Sequence, residues 1–241
     1  MTRFFWLCII GIAQLIYAAD VPPPRPVESI LADYVKAVGG QPAVDKLTTR
    51  ETIAAIHHGG KITFYWEKPN YALAMSKRER TGYDGASGWL LSMKRKVKKL
   101  ARGAELPLEM DANPLRFVHI RDFYSELNPA PAEEIDGEKM DVIIAPNNVA
   151  ATKLYFDAGS HLLRRVEENG EISAYFTNTV DYSEYQEIDG VRLPFHIVHS
   201  TTEPGGNGED LRIKKVTHNL PLQSEIFSKP QAVQVVMGGK R

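Results

Sequence analysis

Residues 180–200, VDYSEYQEIDGVRLPFHIVHS, decide the fold. Two runs of alternating polarity flank Ile188-Asp189-Gly190. Asp-Gly between such runs predicts a β-hairpin, because a type I′ turn requires positive φ at both central residues. On the outgoing arm Val191, Leu193, Phe195 and Ile197 share one parity, and Arg192, Pro194, His196 and Val198 share the other. That is the pattern of an antiparallel strand with one face buried. Pro194 cannot donate to a ladder, which predicts a sheet edge or a bulge there.

The same grammar extends outward from the hairpin. Residues 151–157, 162–168 and 172–179 read as a meander, turning at Asp157-Ala158-Gly159-Ser160 and at Asn169-Gly170. Residues 210–218 read as a last strand, and residues 221–241 as an extended tail. Strands resume near Asp136-Gly137, and 140–145 is apolar. In the first half Ile62, Phe64 and Trp66 share a face, as do Tyr71, Leu73 and Met75. Pro69-Asn70 and Tyr83-Asp84-Gly85 make turns, the second leading to Trp89 and Leu91. Residues 101–108 read as short helix or loop, and Asn113-Pro114 opens a helix reaching His119 or beyond.

Before the strands the period is helical. Ile30, Leu31, Tyr34, Val35 and Val38 recur at i, i+3, i+4 spacing, predicting a helix over 28–38 that Gly39-Gly40 ends. Pro42 opens a second short helix over 43–47. This apolar stripe must be buried against another layer, which makes it a helical cover for the sheet. Roughly ten strands joined by short loops give an α+β class dominated by antiparallel sheet.

The first 19 residues read as a signal peptide: Arg3, an apolar run from Phe4 to Tyr17, then Ala18-Ala19. The run falls short of the about 20 residues a bilayer span needs. The lone cysteine, Cys8, lies inside that run rather than at its end, so it does not mark a lipoprotein. The mature chain then carries no disulfide and is held by its core. Residues 20–27 are a proline-rich linker, with prolines at 22, 23, 24 and 26. The expected location is the periplasm or the exterior.

The whole chain holds 29 Lys and Arg against 30 Asp and Glu, a net charge of −1. Nothing in that balance argues for nucleic acid. A basic run, Met93 to Lys99, stands out; such runs are most often solvated loops or strand edges, and the alternative is an anionic surface contact.

Chemistry is sparse. Gly85-Ala86-Ser87-Gly88 lacks nucleophile-elbow spacing, since Trp89 stands where a glycine is needed. His196 and His199 point to opposite faces of a strand, and His57-His58 has the same difficulty. The histidines therefore read as surface or strand-edge residues, with no metal and no cofactor expected. Asp157, Asp181 and Asp189 sit where carboxylates cap turns. What remains is an excess of large apolar side chains on sheet faces: Phe64, Trp66, Leu73, Met75, Trp89 and Leu91, then Leu154, Phe156, Phe176, Leu193 and Phe195. Either they are a core filled by the helices, or they line the concave face of an incomplete barrel that holds a lipid.

Four stretches in order resemble the LolA-like family of periplasmic lipoprotein and lipid carriers, the outer membrane lipoprotein-sorting proteins most closely. They are ILADYVKAVGGQPAVDKLTT (30–49), YDGASGW (83–89), LYFDAGSHLLRRVE (154–167) and DYSEYQEIDGVRLPF (181–195). The resemblance spans about residues 28–230, leaving 231–241 as a tail. It implies an unclosed half-barrel of about 10–11 antiparallel strands with helices over its mouth. It also implies an apolar cavity that accepts acyl chains and passes them on. A monomer is expected, and the absence of any catalytic motif makes a non-enzyme the expectation. The implied partners are a lipid or acylated lipoprotein and membrane-associated donor or acceptor proteins. An arginine that holds the family's closed state would fall at Arg50 or Arg78. Two further classes stay open beside the carrier: a scaffold with a filled core, and an enzyme whose site follows no recognised pattern.

Overall fold

Two antiparallel meanders meet at one seam. The computed structural model describes residues 22–57, 59–94, 96–100, 106–146, 151–169, 176–206 and 208–230. The chain opens with α1 (Val27–Ala37) and α2 (Gln41–Asp45). The first meander follows as β1 (Thr49–Ile56), β2 (Lys61–Glu67), β3 (Tyr71–Ser76), β4 (Glu79–Tyr83), β5 (Gly88–Ser92) and β6 (Val97–Lys99). Next come α3 (Leu106–Ala112) and a 3₁₀ segment (Pro114–Asp122). The second meander holds β7 (Asn128–Ile135), β8 (Glu138–Pro146), β9 (Ala151–Asp157), β10 (Leu163–Asn169) and β11 (Thr177–Ser183). After it come β12 (Gln186–Ile188), β13 (Val191–Leu193), β14 (His196–Thr201), β15 (Glu209–His218) and a last 3₁₀ turn (Ser224–Phe227).

Thirteen strands form one unclosed sheet in the order β6-β5-β4-β3-β2-β1-β15-β14-β11-β10-β9-β8-β7. The two strands beyond the expected number are the weakest signals. The edge strand β6 is three residues long, and the opposite edge, β7, carries Pro129 and Pro131, which only an edge tolerates. The seam is the pairing of β1 with β15, where Arg50 lies opposite His218.

Asp189 and Gly190 have φ of 54° and 81°, the type I′ turn their sequence predicts. Asp136 and Gly137 repeat it between β7 and β8, with φ of 54° and 82°. The arm after Asp189-Gly190 is not one continuous strand, however. β12 and β13 pair as a separate ribbon, and the chain changes sheets at Pro194, beyond which β14 joins β11. Proline supplies the break because it cannot extend the ladder it leaves.

The ribbon leaves the sheet to grip the end of α1. Arg192 N–H donates to the carbonyl of Val38 at 3.0 Å, and Gly39 lies against Gly190. Further on, residues 221–230 are not a loose tail. Phe227 is fully buried on the outer face, and its carbonyl accepts from Trp89 Nε1 at 2.8 Å. At the other terminus Arg25 donates to Asp141 of β8 at 2.6 Å and also pairs with Asp33, so the linker ends anchored. Residues 1–21, 170–175 and 231–241, with the proposed leader and the Asn169-Gly170 turn, lie outside the described residues. Among the described residues no helix is long and apolar enough to cross a membrane.

Gly39 has φ of 116°, and a Cβ there would sit 2.2 Å from the Gly190 carbonyl oxygen. Gly39→Ala therefore combines left-handed strain with a backbone clash, and is expected to lower unfolding free energy by about 2–4 kcal/mol. Urea denaturation measures this; an unchanged midpoint would show that the ribbon does not hold α1.

Candidate functional site

The inner face is the one the helices cover. β2 turns Phe64 and Trp66 inward, β9 contributes Leu154 and Phe156, and Leu193 of the ribbon joins them in one apolar cluster. Ile30, Leu31, Tyr34 and Val38 of the first helix and its end pack on it, with the Tyr34 ring edge-on to Phe156 at 5.2 Å. Val35 is half-buried at the rim of that helix face. Phe195 packs against the same cluster, whereas Phe176 joins none of the clusters formed by the described residues.

The remaining predicted residues are on the other side of the sheet. Leu73 and Trp89 are buried with Phe227 on the outer face, flanked by Met75 and Leu91. The register explains it: Phe64 and Trp66 lie opposite Ala74 and Ala72, so β3 turns its alanines inward and its larger residues outward. Small inward residues let α3 pack directly on β2, β3 and β4. Sequence parity separates the two sets, but side-chain size alone assigns β3 to the wrong face. Trp89 in turn needs the bare backbone of Gly82, where a Cβ would meet its indole at 2.3 Å.

The cover itself escaped the reading of the sequence. Leu108, Met110, Leu115, Phe117 and Ile120, from α3 and the following 3₁₀ segment, are buried in the inner cluster. The expected helix after Asn113-Pro114 is 3₁₀ and kinks at His119, and the Asn113 side chain does not cap it. That carboxamide oxygen instead accepts from Arg50 Nη1 at 3.4 Å.

Arg50 is the most unusual residue beneath the cover. It is 1 % exposed, its Cζ lies 5.6 Å from the Trp66 ring centroid, and its Nη2 has no hydrogen-bond partner. Burial lowers its pKa to about 9, so it remains charged at neutral pH. Its Nε donates to Nε2 of His218 at 3.1 Å, and His218 Nδ1 lies 2.9 Å from an Asp189 oxygen. Burial, then the Arg50 charge, depress the His218 pKa. The neutral imidazole suits this chain, with Nδ1–H donating to Asp189 and Nε2 accepting from Arg50. The histidines thus include three that are built into networks rather than lying at the surface: His218 here, His196 between Ser183 and Asp210, and His199 beside Asp111. Arg78, by contrast, is exposed in the β3–β4 turn, away from the cover.

The second network closes the mouth. Asp111 of α3 meets His199 of β14 at 2.8 Å, so α3 spans from the β2–β4 region to the second meander. Beside it opens a cavity of about 250 Å³, lined by Met110, Val166, Thr179, Val180, His199 and Thr201 among others. Met110 and Val166 belong to the inner cluster, so the cavity reaches the edge of the apolar interior. Burial works against the His199 imidazolium, but Asp111 outweighs it and raises the pKa above 6.5. Burial, then Asp111, raise the Glu209 carboxyl above 4.5. Among the described residues no three His, Cys, Asp or Glu side chains gather to hold a metal.

Two outcomes follow from these networks. His218→Ala leaves a buried guanidinium without its acceptor and is expected to cost about 3–5 kcal/mol, whereas Arg50→Met, which removes the charge, costs less. Urea titrations at neutral pH rank the two, and the reverse order would contradict the role given to Arg50. His199 and Glu209 both have raised folded pKa values, so each contributes stability at low pH that is lost as pH rises through the folded value. His218 is depressed and acts oppositely, losing its contribution as pH falls below 6.5. Amide protection of α3, corrected for intrinsic exchange, should therefore fall as pH rises above 6.5, and His199→Gln should remove that fall.

No family model and no curated protein matches the sequence. Solved structures do match the fold. A LolA superfamily protein from Nitrosomonas europaea superposes with a TM-score of 0.58 at 15 % identity, covering 84 % of this chain and 97 % of its own. A domain labelled an outer membrane lipoprotein-sorting protein, from Vibrio parahaemolyticus, gives 0.54 at 15 % identity over the same shares. The chain has the LolA-like half-barrel fold.

Proposed function

We propose that the protein binds and carries a lipid or an acylated polypeptide, holding acyl chains against the inner face, and does no catalysis. The observation that carries this reading is the inner face itself, an apolar half-barrel surface closed by separable segments rather than by a second sheet. Phe64, Trp66, Leu154, Phe156 and Leu193 form its wall, and Ile30, Leu31, Tyr34 and Val38 its helical cover. Each buried methylene contributes about 0.8 kcal/mol, so an acyl chain is held without a polar recognition motif.

The cavity at the mouth is smaller than the about 300–1,000 Å³ typical of ligand sites. Loading therefore requires α3 and the 3₁₀ segment to swing out, exchanging their own apolar side chains for the ligand's. The Asp111–His199 pair and the Arg50–Asn113 contact are polar ties that such a motion breaks, and His119 with Asp45 and Arg121 with Glu28 tie the 3₁₀ segment to the first two helices. Function in outer membrane lipoprotein sorting, after export to the periplasm, is the specific form of this proposal. The well-filled inner face also supports a second reading, a scaffold whose cover never opens.

Native mass spectrometry of protein purified from its own host separates the two. A bound mass removed by organic extraction is expected. Val180→Trp, which fills the mouth cavity, should reduce that occupancy about tenfold while leaving the circular dichroism unchanged. A clean unliganded mass that persists after incubation with phospholipid and acylated peptide would leave the scaffold.

A further inference from the structure

The basic run is not an isolated stretch in space. In the β4–β5 register Glu79 lies opposite Ser92 and Arg80 opposite Leu91, so the β3–β4 turn and the β5–β6 turn stand side by side at one end of the sheet. Lys77, Arg78 and Arg80 come from the first turn, and Lys94, Lys96, Lys98 and Lys99 from the second and its strand. All seven are exposed, and none forms an ion pair with another described residue. A groove of about 470 Å³ runs between the turns, floored by Leu91 and Val97. Met93, at the tip, is 71 % exposed and is the most exposed large apolar side chain among the described residues.

Residues 77–99 contain eight cations and two acids, a local charge of +6 in a chain whose total is −1. The rest of the molecule therefore carries −7, and the field is polarised toward this end. We infer that this end of the sheet docks on an anionic phospholipid surface, the lysines facing head-group phosphates and Met93 entering the interface. The composition favours a bilayer over nucleic acid. The two turns present lysines and an exposed methionine, with no exposed aromatic ring for bases to stack on. The inference stands apart from acyl-chain binding, since a scaffold with a filled core would dock in the same way.

Co-sedimentation of the full mature chain with phosphatidylcholine vesicles, with and without phosphatidylglycerol, tests it. Binding is expected only with phosphatidylglycerol, and should weaken between low salt and about 0.15 M. Neutralising Lys77 and Arg78 as Lys77→Gln/Arg78→Gln should cost about 25-fold, fivefold for each cation near the surface. Lys96→Gln/Lys98→Gln, on the other turn, provides an independent second pair and should cost the same. Lys214→Gln/Lys215→Gln, exposed but on β15, should leave binding unchanged. Met93→Ser should weaken what binding persists at higher salt. Failure to bind the anionic vesicles at low salt would overturn the inference. So would an equal loss from the β15 pair, or retention of RNA as strong as retention of the vesicles.

Discussion

The architecture depends on one pairing, β1 with β15. By joining the two meanders through their inner strands, it sends β6 and β7 to opposite edges of a thirteen-stranded sheet. Yet β6 and β7 are consecutive in the chain, so the connection between them must travel from one edge to the other. It does so across the inner face, as α3 and the 3₁₀ segment. The cover is thus a consequence of topology, and its apolar residues are what a crossing segment needs in order to rest on an apolar sheet. The cover contributes no strand to the ladder beneath it.

Polar groups sit where that cover meets the seam. Arg50 and His218 face one another across β1 and β15, and the guanidinium extends beneath the cover to Asn113. The arrangement is not the most stable that could be packed there. One guanidinium nitrogen is unpartnered, and the nearest carboxylate in the network, Asp189, acts only through the imidazole. Buried charge with incomplete partners costs more than an apolar replacement, so the fold retains a polar penalty at its centre. Asp111 and His199 tie the far end of α3, where a titratable pair replaces apolar packing.

Much of the sheet was legible because its turns are local. Asp189 and Gly190 both take positive φ, Gly85 takes it after Asp84, and the Asp157 carboxylate caps Gly159 and Ser160 as its turn sequence suggests. Helix α1 was equally plain from the spacing of Ile30, Leu31 and Tyr34. What was hidden depends on partners distant in the chain. Whether Leu73 or Ala72 faces the helices is set by where α3 lands, and strand parity alone gives two equal choices. The proline-bearing strand Asn128–Ile135 forms because an edge accepts what a central strand refuses. The burial of Arg50 and His218 arises only when residues 168 positions apart meet.

That separation also orders events as the polypeptide emerges. The first meander is complete when residue 99 is available, but β1 has only one of its two neighbours until residue 218 arrives. Until residue 122 has supplied α3 and the 3₁₀ segment, Phe64 and Trp66 present an uncovered apolar surface, and β1 remains an unpaired edge for longer still, both features prone to association with other chains. Closing a loop of this size adds only logarithmically to the entropic cost, so the delay is one of time rather than of equilibrium. During that delay the free edge of β1 is the place where a second chain could pair.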